Sequence, residues 1–174
     1  TGVGIYGADC PAVMLLDPVQ RRVVGAHAGW RGLAQNVVGE AIELLRVGQN
    51  GALNNEIVAF VGPSAGRSTY EFDDDGTEEF YELMDRARLR FSAGESGEIA
   101  KAFEQHPGES SSWYFDMRHV IFAQLVERGI GIERIVIDPR NTMAPENRLY
   151  SHRAFKDAGR HLVAVGIKPE GRYA

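Results

Sequence analysis

Cys10 and His27 are the two residues whose types can do chemistry together and whose spacing can bring them to one place. Between them lie two runs rich in Val, Leu and Met, Ala12–Leu16 and Arg22–His27, which read as strands. The link is Asp17-Pro18-Val19-Gln20, with Asp first and Pro second, an order that favours a type I turn. With Pro18-Val19 as a two-residue loop, Asp17 faces Gln20, and counting outward sets Cys10 directly opposite His27. Facing residues in an antiparallel pair have Cβ atoms about 4.5–5.5 Å apart. A thiolate and an imidazole at that spacing can share a zinc ion, with bonds of about 2.3 and 2.0 Å. They can equally form a Cys–His nucleophile pair. A loop two residues longer makes them diagonal neighbours, still within reach, whereas a one-residue bulge turns them to opposite faces. A lone cysteine is also commonly just a small buried hydrophobe.

The flanks favour a ligand over packing. Asp9 sits beside Cys10, and Pro11 ends regular pairing there. His27 runs into Ala28-Gly29-Trp30-Arg31-Gly32, read as a glycine-rich loop with an aromatic face and a guanidinium.

The elements that must hold these residues alternate imperfectly. Val3–Tyr6 begins a strand almost at the first residue, so the chain reads as lacking its N-terminal part. A helix is expected from about Leu33 to Arg46, ended by Gly48 and Gly51. Ile57–Val61 reads as a buried strand stopped by Gly62-Pro63. Thr77–Leu89 reads as a helix whose acidic start and basic end suit the dipole. Residues 92–112 are rich in Ser, Gly and Glu and read as the least structured stretch. A helix over Tyr114–Gly129 and strands at Ile132–Ile137 and His161–Ile167 complete the series. No repeat or internal boundary shows, so residues 1–174 read as one domain. The hairpin makes the sheet mixed, and the fold class is α+β.

Composition narrows the function. A charged share of 25% and a hydrophobic share of 44% suit a globular domain. The net charge of −5 argues against a nucleic-acid binder, which needs a basic surface for phosphates. No apolar run approaches the roughly 20 residues that span a bilayer, so no membrane partner is expected. One cysteine cannot make an internal disulfide, which suits a reducing cytoplasmic location.

Longer stretches carry a resemblance. Gly7-Ala8-Asp9-Cys10-Pro11 with the following hairpin, then His27-Ala28-Gly29-Trp30-Arg31-Gly32, closely resembles the central signature of the YfiH-like laccase-domain family. Val61-Gly62-Pro63-Ser64-Ala65-Gly66 with Tyr70-Glu71, and Tyr150-Ser151-His152-Arg153 with Ala158-Gly159-Arg160, resemble its later segments in order. The chain departs at Asn141-Thr142, where the family often has Cys-Thr, and at Ser64, where a cysteine or another small residue is frequent.

The resemblance implies a layered α/β/β/α sandwich with mixed β-sheets. It also implies zinc, sometimes reported as copper, held by one cysteine and two histidines. Cys10 and His27 match two of these positions, and the third histidine falls upstream of Thr1. The implied activity is phosphorolysis of adenosine, inosine and methylthioadenosine, with adenosine deamination, by a monomer or homodimer. In that reading Arg31 and Arg153 are candidates for phosphate, because guanidinium forks suit oxyanions; each can instead form a salt bridge. Asp9 is a candidate to orient His27 or act as a base, or it caps the turn. Trp30 can stack on a purine or pack, Tyr70 can line the pocket, and His152 can donate a proton or simply sit at the surface. Three alternatives stand beside this one. One is a Cys–His hydrolase of peptidoglycan-precursor editing with Cys10 as nucleophile, and another is a nucleoside-binding module without chemistry. The third is a copper polyphenol oxidase, disfavoured because five histidines without a His-x-His pair cannot build a multicopper centre.

Overall fold

The computed structural model describes residues 2–47, 56–86, 101–108, 112–156 and 159–168. Among these residues it is a mixed α+β fold with three sheets. The central sheet has the order β3-β2-β4-β8, from Arg22–His27, Ala12–Asp17, Val58–Val61 and Ile135–Ile137 respectively. Pairing is antiparallel except between β4 and β8. Strand β2 is buried almost throughout, as a strand covered on both faces must be. On one face Val13 and Leu15 join a core with Leu33, Ile42, Leu45, Ile121 and Leu125 from the helices α1 (Trp30–Ala34), α2 (Val37–Arg46) and α4 (Met117–Glu127). On the other face lies a two-stranded antiparallel sheet of β1 (Gly2–Gly7) and β9 (His161–Gly166). Gly25 lets it approach: a Cβ there would lie 3.1 Å from the Met14 sulfur and 3.2 Å from Ile5. Its outer face carries Tyr6, 67% exposed, and Leu162, 53% exposed.

The third sheet, β5-β7-β6, uses Glu71–Asp73, Ser112–Phe115 and Phe103–Gln105. With α3 (Asp74–Arg86) it closes over an aromatic cluster of Phe72, Phe80, Phe103 and Phe115.

Several boundaries move for local reasons. The turn between β2 and β3 has four residues, Pro18 to Arg21, not two. Asp17 accepts hydrogen bonds from the amides of Val19 and Gln20, both at 2.9 Å, and Arg21 takes a left-handed φ of 53° to close the loop. His27 therefore faces Ala12, not Cys10. The expected helix over Leu33–Arg46 is two helices. Asn36 at φ 63° breaks it, and the 29–32 segment read as loop supplies the first turn of α1. Buried Gln124 steadies the break by donating to the Leu33 carbonyl at 2.8 Å. Tyr114 belongs to β7, and Asp116 starts α4 by accepting from the amides of Arg118 and His119. The strand expected at Ile132 begins instead with a 3-10 turn over Ile132–Arg134. Helix α3 starts earlier than expected, at Asp74; residues 87–89, Gly48, Gly51 and most of 92–112 lie outside the described residues.

Phe115 is fully buried and its ring meets those of Tyr70, Phe72, Phe80 and Phe103. Phe115→Ala is expected to destabilise the fold by about 3–5 kcal/mol in denaturant unfolding; a cost under about 1 kcal/mol would show that this cluster can collapse around the gap.

Candidate active site

The four-residue turn shifts the register by two, an even number, so Cys10 and His27 keep the same face. Ala28 donates to the Pro11 carbonyl at 2.9 Å, carrying the β2–β3 contact one step past the strands. Cys10 then arrives beside Gly29. A Cβ on Gly29 would lie 3.2 Å from Cys10 Sγ and 3.6 Å from His27 Nε2. Sulfur and imidazole thus converge on one point, kept open because residue 29 has no side chain. His27 is exposed and Cys10 half-buried. Among the described residues no group of three or more His, Cys, Asp or Glu side chains is arranged to hold a metal. The converging donors are a pair.

Asp9 goes elsewhere. It is 4% exposed and sits at φ 75°. One carboxylate oxygen accepts from Thr142 Oγ1 at 2.9 Å, the other from the Arg153 amide at 2.8 Å. Its own carbonyl accepts from the Ala65 amide at 2.9 Å. Among the described residues it has no hydrogen bond to His27. Thr142, noted in the sequence only as part of a departure from the family pattern, is therefore a buried support of the site.

Trp30 divides two clefts. One, of about 320 Å³, is lined by Trp30, Glu71, Phe72, Asp73, Gly76, Ser112 and Arg153. The other, of about 270 Å³, is lined by His27, Gly29, Trp30, Arg31 and Gly32. The indole meets Phe72 edge-on at 5.1 Å and carries the Arg31 guanidinium at 4.0 Å from its centroid. Arg31 is held by Glu79 through two hydrogen bonds of 2.9 and 3.0 Å. Arg153 differs. Its guanidinium lies 4.1 Å from the Tyr70 ring centroid and donates to the Glu71 carbonyl, and among the described residues it pairs with no carboxylate. His152 is exposed at the start of α5 (His152–Phe155) and, unlike its neighbour Arg153, lines neither of these two clefts.

Burial governs the titrating groups here. It pushes the Cys10 thiol up, Asp9 adds to the effect, and Arg153 and Arg160 oppose it. Burial chiefly, and then Cys10, push Tyr70 up to about 12, so its phenol stays a donor. His161, read in the sequence only as a strand start, pairs with Gly7 and has a buried Nδ1 without a hydrogen-bond partner among the described residues. Burial pushes its pKa down, with Asp9 opposing.

Comparison with known proteins now bears on this arrangement. The profile of a family described as multi-copper polyphenol oxidoreductase laccase matches residues 1–168. The chain belongs to this laccase family. Relatives within it include a purine nucleoside phosphorylase of Xylella fastidiosa (strain 9a5c), 28% identical over 165 residues, covering 95% of this chain and 56% of that protein. Another is purine nucleoside phosphorylase YlmD of Bacillus subtilis, 28% identical over 164 residues, with 92% and 53% covered. The structure of Bacillus licheniformis hypothetical protein YfiH aligns with a TM-score of 0.76 at 26% identity, covering 96% of this chain and 58% of that one. YlmD of Geobacillus stearothermophilus aligns at 0.74 with 22% identity and 97% and 58% covered, a likeness of fold. The chain thus spans little more than half the length of these laccase-family relatives. No helix among the described residues is long and apolar enough to cross a membrane.

A raised thiol pKa leaves little thiolate at neutral pH. Alkylation of Cys10 by iodoacetamide in metal-free protein is expected to reach half its maximal rate above the pH of an ordinary cysteine, about 8.5. A midpoint below that value would mean that Arg153 and Arg160 outweigh burial.

Proposed function

We propose that this chain carries the site of a purine nucleoside phosphorylase acting on adenosine, inosine and methylthioadenosine, with adenosine deamination as a second activity. The observation that carries the reading is Arg153, a guanidinium without a carboxylate partner among the described residues, lining an aromatic-walled cleft beside Cys10. A planar fork held against a ring and not neutralised by an acid suits a tetrahedral oxyanion. The names of the laccase-family relatives support the same reaction.

In this mechanism phosphate sits at Arg153, and the purine packs against the Trp30 and Phe72 wall. Phosphate oxygen then forms a bond to C1′ of the ribose as the bond from C1′ to the purine nitrogen breaks, and the purine leaves with the bonding pair and takes up the proton that hydrogen phosphate gives up. Positive charge builds on the sugar, and Glu71 and Asp73 at the cleft rim favour it. Tyr70 remains protonated under Arg153 and so keeps an O–H to donate. Arg31 is placed to assist, once Glu79 shares or releases it.

The family implies a metal, and the donors fit one in part. Cys10 Sγ and His27 Nε2 meet at the open position beside Gly29, a soft sulfur and an imidazole of the kind zinc prefers and copper accepts. They are one short of the three protein ligands of a catalytic zinc site. When bound, zinc supplies a polarised water suited to deamination. Burial raises the Cys10 thiol, which disfavours a free thiolate nucleophile and with it the hydrolase reading.

Release of hypoxanthine from inosine is expected to depend on phosphate, and Arg153→Ala to raise the KM for phosphate at least about tenfold, the loss of a charge-assisted contact. Binding of inosine without any turnover in saturating phosphate and zinc would leave a binding module in place of an enzyme. Gly29 has φ −71° and ψ 161°, which alanine adopts freely. Gly29→Ala is therefore expected to fold normally yet bind zinc at least about tenfold more weakly by calorimetry, since its methyl fills the space between the two donors. Undiminished zinc affinity would rule out Cys10 and His27 as a shared ligand pair.

A further inference from the structure

We propose that Asp9 is a positioning residue for the oxyanion substrate, fixing Arg153 by its backbone so that the guanidinium stays in the cleft. The inference rests on the phosphorolysis reading and assigns Asp9 a part other than proton transfer.

Three observations lead to it. Asp9 adopts the left-handed region that favours Asn and Asp among residues with side chains, and that turn aims its carboxylate inward. The carboxylate is buried, forms no ion pair among the described residues, and is satisfied only by Thr142 Oγ1 and the Arg153 amide. A buried charge held by neutral donors is costly to maintain for packing alone. Finally, Asp9 joins three segments distant in sequence. Its carbonyl takes the Ala65 amide from the loop after β4, and its carboxylate takes Thr142 from the segment after β8 and Arg153 from α5.

Arg153 is thereby held at both ends. Asp9 fixes its amide, while Tyr70 and the Glu71 carbonyl fix its guanidinium. Neither Asp9 oxygen is among the groups lining the two clefts, so the carboxylate has no route to a substrate proton. Its influence on the reaction runs through Arg153.

Replacement by asparagine separates positioning from proton transfer. Asn tolerates the left-handed conformation. Its carbonyl oxygen can accept from the Arg153 amide, and its NH2 can donate to Thr142 Oγ1. The experiment compares Asp9→Asn, Asp9→Ala and Thr142→Val in three measurements. These are inosine phosphorolysis with phosphate varied, calorimetric binding of inorganic phosphate, and hydrogen exchange at the Arg153 amide. Asp9→Asn is expected to keep kcat and the KM for phosphate within about threefold of the parent. Asp9→Ala is expected to raise the KM and Kd for phosphate by about tenfold or more, with a smaller change in kcat, and to speed exchange at Arg153. Thr142→Val removes one of the two donors and is expected to shift all three readings the same way by less. It covers the case in which Asp9→Ala fails to fold. A kcat loss of about a hundredfold in Asp9→Asn at unchanged KM overturns the proposal, because the carboxylate would then be acting on the substrate. Parental phosphate affinity and parental Arg153 exchange in Asp9→Ala or Thr142→Val overturn it too. Failure of the parent to bind phosphate sinks the phosphorolysis reading instead, and Arg153 exchange still decides whether Asp9 holds that residue.

Discussion

The pairing of β2 with β3 fixes the face on which Cys10 and His27 meet, and every other part of the site is arranged around that meeting. A ladder has a side-chain period of two, so an even change of register moves a residue along the strand without turning it over. That tolerance lets a four-residue turn replace a two-residue one while the sulfur and the imidazole still converge beside Gly29. An odd change would have put them on opposite sides of the sheet, one toward the helices and one toward β1 and β9. Position 29 then matters as space. A Cβ there would crowd the sulfur and the imidazole, so the space between the two donors stays open because residue 29 has none.

Around this pair the site is assembled from loops that leave the same end of the central sheet. The segments after β4 and β8 run side by side, joined by the Ser64 and Asn141 bridge, and both reach Asp9. Hydrogen bonds to the carbonyl and the buried carboxylate of this one residue thus tie the loops together. The aromatic sheet adds the far wall, since Phe72 and Tyr70 meet Trp30 and Arg153 respectively. The laccase-family chain therefore has two kinds of support: apolar packing behind the cleft and a polar clamp beside it.

The legible part of the sequence was the part written in local patterns. Alternating Val, Leu and Met marked β2 and β3, and Asp17-Pro18 marked the turn, though not its length. That length was set by Asp17 capping two amides and by Arg21 adopting a left-handed conformation, neither of which a propensity reveals. The break at Asn36 was hidden because Val37 and Val38 continue an apolar run across it. Tyr114 was drawn into a helix by its apolar neighbours, when pairing with Glu71 made it a strand residue. Cys10 and His27 share a face although the register lies two residues from the one their spacing implies, and Trp30 lines the same cleft as His27. Thr142 is not legible as a support of the site, because its partner Asp9 lies more than a hundred residues away.

Trp30 is one wall of both clefts. A displacement of its indole reshapes the two spaces together, so filling one and filling the other are linked equilibria. By reciprocity, whatever one occupant does to the affinity of the second, the second does equally to the first.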